Sequence, residues 1–172
     1  FMSWRPDPNA MAIDAFSINW HSLNFWCFPP FSSSLILQAK IRTDCATGLM
    51  VVPFWPTQPW YPVLLQHLVA HPRVLPKSLQ LLQLPEKPGE CHPLQGKLQL
   101  LVCKLSGDLS KIKDYQCSLL TLSSMPGDLT PRNNMHHISP SGQPTVVNNR
   151  LIQFIHLFPR CCSNFLTTIF HS

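Results

Sequence analysis

Several groups of residues are of types that can do chemistry. Phe28-Pro29-Pro30-Phe31 joins two ring-locked residues to two aromatic rings, so the backbone is held rigid where a flat ligand could stack. His67 and His71 stand four apart, a spacing that can hold zinc on a helix face. No Glu lies between them and no third ligand is evident, so a solvated helical face is the expected reading. His136-His137 falls in a polar stretch and carries no further ligand. Asp7, Asp14 and Asp44 show no spacing that builds a two-metal carboxylate cluster. A strand-transferring tyrosine nucleophile would need Arg, His-x-x-Arg and then Tyr; here Tyr115 comes before His156, and Arg160 stands four residues after that histidine.

The elements that must position these residues differ along the chain. Trp4-Arg5-Pro6-Asp7-Pro8 reads as extended, because each proline pushes the preceding residue out of the α region. Phe25 to Phe28 is a short aromatic strand stopped by Pro29 and Pro30. Ser32 to Ser34 can cap a helix from about Leu35 to Ile41, and Gly48 leads into Leu49-Met50-Val51-Val52, a strand of the kind buried on both faces. Thr57 is a suitable N-cap, Pro59 fits an early helical position, and Tyr61, Leu64, Leu65, Leu68 and Val69 recur at helical spacing. Strand, turn, helix, strand, turn, helix favours an α/β fold with a partial Rossmann-like parallel sheet in the first half. Beyond His71 the pattern weakens. Leu75 to Leu84 could be one helix, Lys97 to Leu105 fits strand and helix equally, and 121–150 shows little periodicity. The second half is therefore expected to be irregular or disordered. The division expected is 1–76 as an α/β segment, 77–107 as linker and short apolar elements, and 108–172 as an irregular tail.

Composition narrows the function classes. The chain has 172 residues, of which 12% are charged; about 25% is usual. Its 18 prolines interrupt helices and central strands. The net charge of +5 arises from only eight acids rather than from clustered bases. The densest basic stretch, Lys104 to Lys113, is broken by Asp108 and by apolar residues, and reads as a solvated face. Seven cysteines without Cys-x-x-Cys spacing argue for reduced thiols in an intracellular protein, nuclear or cytoplasmic. No leader and no membrane span are read, and the start at Phe1 reads as a truncation.

Four motifs in fixed order carry a family resemblance: Ser3-Trp4-Arg5-Pro6-Asp7-Pro8, Asp14-Ala15-Phe16-Ser17 with Trp20, Trp26-Cys27-Phe28-Pro29-Pro30-Phe31-Ser32, and Pro53-Phe54-Trp55-Pro56-Thr57-Gln58-Pro59-Trp60. The set resembles the Pol polyprotein of DIRS-type retrotransposons, in the region downstream of reverse transcriptase and ribonuclease H that is itself similar to Dam-like adenine methyltransferases. The match covers residues 1 to about 107, counting weaker echoes at His92-Pro93-Leu94 and Leu105-Ser106-Gly107.

The resemblance implies an ancestral fold that binds S-adenosylmethionine, with Asp14 at the position of a cofactor-binding acid. It also implies a turn at Phe28, Pro29, Pro30 and Phe31 that would present an acceptor to the amino group of a flipped adenine. Phe28 stands where that acceptor belongs, and a phenyl ring cannot accept the hydrogen bond. The cofactor-holding strand and its turn are expected before Phe1. Ser32-Ser33-Ser34-Leu35-Ile36-Leu37 is shifted against the family pattern, and the tail from about His156 reads as out of frame. The expectation is a Pol fragment without catalytic activity of its own and without cofactor or small-molecule substrate. DNA or RNA would be its partner through the parent polyprotein, and no membrane is expected. A single-stranded nucleic-acid-binding module, with rings from Trp4 to Tyr61 stacking on bases, is one alternative. An unfolded product with no selected role is another.

Overall fold

The computed structural model describes residues 2–3, 6–21, 23–77, 98–121 and 145–157. Strands β1 (Met2–Ser3) and β2 (Ala12–Ile13) pair in parallel as a small separate ribbon. A five-stranded sheet forms the body, from β3 (Asn24–Cys27), β4 (Thr47–Pro53), β5 (Arg73–Val74), β6 (Leu100–Ser106) and β9 (Ile155–His156), in the spatial order β3-β4-β6-β5-β9. β7 (Thr145–Val147) and β8 (Arg150–Ile152) make a hairpin beside it. Helix α1 (Ser34–Thr43) links β3 to β4, α2 (Trp60–Gln66) follows β4, and α3 (Leu109–Ser118) follows β6.

The α/β class holds, but the sheet is mixed where a parallel one was expected. β3 runs parallel to β4 and β5 parallel to β9, whereas β6 is antiparallel to both of its neighbours. An apolar strand pattern reports burial on two faces and carries no information about direction. The second half is also more regular than expected. Leu100 to Ser106 is a central strand, and Asp108 caps α3 by accepting from the Ser110 amide at 2.9 Å. The helix considered from Leu75 to Leu84 and the His136-His137 pair lie outside the described residues, apart from the extended start through Lys77.

Two apolar layers sandwich the sheet. On one face Met50, Val52, Leu101, Cys103 and Leu105 pack against Leu37 and Ile41 of α1 and Trp60, Tyr61, Leu64 and Leu65 of α2. On the other, Val51, Val102, Leu100, Leu98 and Leu75 gather with Leu49, Trp55 and Leu157 at its margin. Burying one such side chain contributes about 1.5–3 kcal/mol, so the paired strands β4 and β6 anchor the fold.

Backbone geometry at the ends of the elements is specific. α1 begins after a 3-10 turn, Phe31–Ser33, and the side chain of Ser33 makes no capping bond. It ends in a Schellman arrangement: the Ala46 amide donates to Ile41 O at 3.0 Å and the Cys45 amide to Arg42 O at 3.3 Å, with Cys45 in the left-handed region at φ 50°. α2 starts at Trp60 behind Pro59, and Thr57 lies in the preceding turn without capping. The β7–β8 hairpin turns on Asn148 and Asn149, both left-handed at φ 49° and 60°, the requirement of a two-residue type I′ turn. Gly48 lies opposite Phe25 in the parallel pair, so close that a Cβ there would collide with the Phe25 carbonyl oxygen.

Candidate functional site

Two of the motif segments leave the sheet side by side. β3 and β4 are adjacent and parallel, so their carboxyl ends point the same way. Phe28-Pro29-Pro30 follows β3, and Phe54 to Pro59 follows β4. In open α/β sheets this is the end at which ligands gather. Pro29 is buried while Phe28 and Pro30 are exposed, Phe28 at 45%. The Ser33 amide donates to Pro30 O at 2.9 Å, which turns the chain straight into the 3-10 turn opened by Phe31 and then into α1. The two prolines thus serve to reverse the chain at a strand end, and position 28 offers solvent a ring with no hydrogen-bond acceptor.

The rings of the second segment are spent on packing. Phe54 stacks with Tyr61 (ring centroids 6.1 Å apart) and with Phe154 (5.3 Å), and Trp60 is buried edge-on to Tyr61. Burial, followed by the neighbouring Cys103, pushes the Tyr61 hydroxyl well above its usual range.

Asp14 stands apart from the turn. It follows β2 with φ 63°, and its Oδ1 accepts from the Phe16 amide at 3.0 Å, which caps the 3-10 turn Ala15–Ser17. Its link to β3 runs through rings: Phe16 stacks on Trp20 at 6.3 Å, and Trp20 meets Phe25 at 5.4 Å.

A buried polar node centres on Asp44, which sequence spacing tests only as a metal ligand. Asp44, buried at the end of α1, accepts from the Trp20 amide at 2.8 Å and from Lys40 Nζ at 2.8 Å, while its carbonyl oxygen lies 3.2 Å from His21 Nδ1. Trp20 is held further by its indole Nε1 donating to Ala15 O at 2.7 Å. The Lys40 hydrogen bond, with that of Trp20, holds the Asp44 carboxyl below its ordinary range. Lys40 four residues before Asp44 was the one local signal; the partner 24 residues upstream has none.

The histidine pair is not a helix-face pair. α2 ends at Gln66, so His67 sits at its cap, where Nδ1 donates to Val63 O at 2.8 Å. His71 lies beyond the helix and meets the Tyr115 hydroxyl at 3.2 Å. Among the described residues no group of three or more His, Cys, Asp or Glu could hold a metal ion. The described thiols Cys27, Cys45, Cys103 and Cys117 are free, and burial pushes Cys27 and Cys103 each up to about 12. No helix among the described residues is long and apolar enough to cross a membrane.

Shallow clefts among the described residues include the following three. One of about 510 Å³ lies between α1 and α2 and is lined by Gln38, Arg42, Val63 and His67. A second, about 580 Å³, opens between the sheet and α3 and is lined by Asn24, Thr47, Lys104, Lys111, Asp114 and Ser118, with Val69 and Tyr115. The third, about 300 Å³, lies near Gly107 and Asn148. Neither Asp14 nor the Phe28 turn lines any of them. No protein-family model matches the chain, and no curated protein or solved structure matches it either.

Proposed function

We propose that this chain is a segment of a DIRS-type retrotransposon Pol polyprotein, descended from a Dam-like adenine methyltransferase and without catalytic activity of its own. The observation that carries the reading is the turn after β3. It leaves the carboxyl end of a parallel strand, as the base-binding turn of the ancestral fold would, yet presents Phe28 in place of an amino-group acceptor. The β3–α1–β4 unit is the part of the fold that fits a Rossmann-like ancestor. In this reading S-adenosylmethionine belongs to the ancestral fold; here Asp14 Oδ1 accepts from the Phe16 amide and Asp14 lines none of the three clefts described.

The parent polyprotein would act in reverse transcription and transposition, with DNA or RNA as its substrate. Two-sided burial of β4 and β6 favours a folded segment over an unfolded translation product. The test is equilibrium dialysis against labelled S-adenosylmethionine, followed by a methyl-transfer assay on adenine-containing DNA. Neither saturable binding nor transfer is the expected result. Saturable binding with methyl incorporation would overturn the proposal.

A further inference from the structure

We propose that the face of the β3 edge and the cleft beside α3 together bind single-stranded nucleic acid, with Trp26 stacking on a base and Lys104 and Lys111 meeting phosphates. The proposal rests on cross-strand register and is independent of descent. Trp26 pairs with Leu49, and Leu49 with Lys104, so the three form one row on the same face of the sheet. The next row is Asn24, Thr47 and Ser106. Strand spacing places Trp26 and Lys104 about 10 Å apart at the backbone, within reach of one nucleotide and its flanking phosphate.

Exposure separates this face from the opposite one. Along β3, Phe25 and Cys27 turn toward the main core, whereas Trp26 is 44% exposed and Asn24 is open to solvent. Phe28, just past the end of the strand, is exposed as well. Lys104 is the one exposed residue of β6, a strand otherwise buried throughout. A cation at that place serves no core and gains from an anionic partner. Lys111 reaches across from α3 to hydrogen-bond Thr47 Oγ1 at 3.3 Å, and Thr47 Oγ1 bonds Ser106 Oγ at 2.8 Å. Both ammonium groups are therefore brought to the cleft that Asn24 also lines, whose one acid is Asp114. A ring beside a track of cations is the pattern by which sheet surfaces take up single strands without sequence preference, because every base has a face to stack. Asn24 adds an exposed amide on the same face.

The test is fluorescence anisotropy of the purified chain with labelled ten-nucleotide dT and rU oligomers. Two phosphate contacts predict a log–log salt slope of about −1.4, so affinity should fall about sevenfold between 50 and 200 mM salt. Trp26→Ala should weaken binding roughly tenfold or more, Trp26→Phe should retain most of it, and the Lys104→Glu, Lys111→Glu double variant should abolish it and flatten the slope. Thermal melts of each variant establish that these exposed substitutions leave the fold intact. Wild-type affinity in Trp26→Ala or in the double variant would overturn the proposal. So would equal binding of duplex DNA, or displacement by polyglutamate as effective as by oligonucleotide, since an acidic peptide would then be the better partner. Methyl-transfer results do not enter this readout, so failure of the descent reading leaves it untouched.

Discussion

Gly48→Ala should be costly, although alanine in place of glycine within a strand is ordinarily favourable by roughly 0.5–1 kcal/mol. A Cβ at position 48 would stand 2.5 Å from Phe25 Cγ and 2.7 Å from Phe25 Cδ1, besides colliding with the Phe25 carbonyl oxygen. Carbon atoms pack at about 3.5–4.0 Å, so β3 must retreat by about 1 Å. A shift of that size stretches ladder hydrogen bonds from about 2.9 Å to beyond bonding range. Overpacking costs typically 1–3 kcal/mol, and each lost ladder bond about 1 kcal/mol more. The sum is about 3 kcal/mol, or a melting temperature lower by about 6–12 °C for a chain of this size.

Urea unfolding followed by far-ultraviolet circular dichroism measures it, and binding of the labelled oligomer should weaken in parallel because Trp26 rides on the displaced strand. Adding Phe25→Ala should not rescue the variant, since the carbonyl oxygen remains in place. A Gly48→Ala protein as stable as the parent, or rescue by Phe25→Ala, would refute the close-approach argument.

The left-handed Cys45 at the end of α1 should yield about 1 kcal/mol of stability on Cys45→Gly, read as a higher urea midpoint; an unchanged or lower midpoint contradicts the Schellman assignment. Asp44 has a folded-state pKa below its unfolded value, so its contribution is complete above the unfolded carboxylate value of about 3.9 and is lost as pH falls through the folded value. Asp44→Asn should accordingly flatten the acid limb of the stability profile, measured by unfolding at stepped pH. Ser34 Oγ is buried without a hydrogen-bond partner, so Ser34→Ala should be neutral or stabilising by up to about 1 kcal/mol, and a clear loss would show that the hydroxyl is satisfied. Native-state alkylation at pH 8 followed by peptide mapping should find Cys45 and Cys117 labelled well before Cys27 and Cys103, whose burial keeps them as thiols.

Local pattern was enough for the elements that announce themselves. The stop at Pro29-Pro30, the buried strand through Leu49 to Val52 and the face of α2 through Tyr61, Leu64 and Leu65 are legible, because proline geometry and apolar spacing act over a few residues. Leu68 and Val69, expected on the same helix, instead lie beyond its end and pair with β6. Other local signals were there to be read: Asn148-Asn149 is a type I′ hairpin turn, and Asp108 is an N-cap ahead of α3. Tertiary structure alone decided the rest. Strand direction, hence the mixed sheet, depends on how β6 returns between β4 and β5, which no periodicity encodes. The Asp44 node joins residues 24 apart, and the row from Trp26 through Leu49 to Lys104 exists only because three strands align in one register. Residue types set which groups could stack, pair or donate; pairing across the sheet determined which of them share a face.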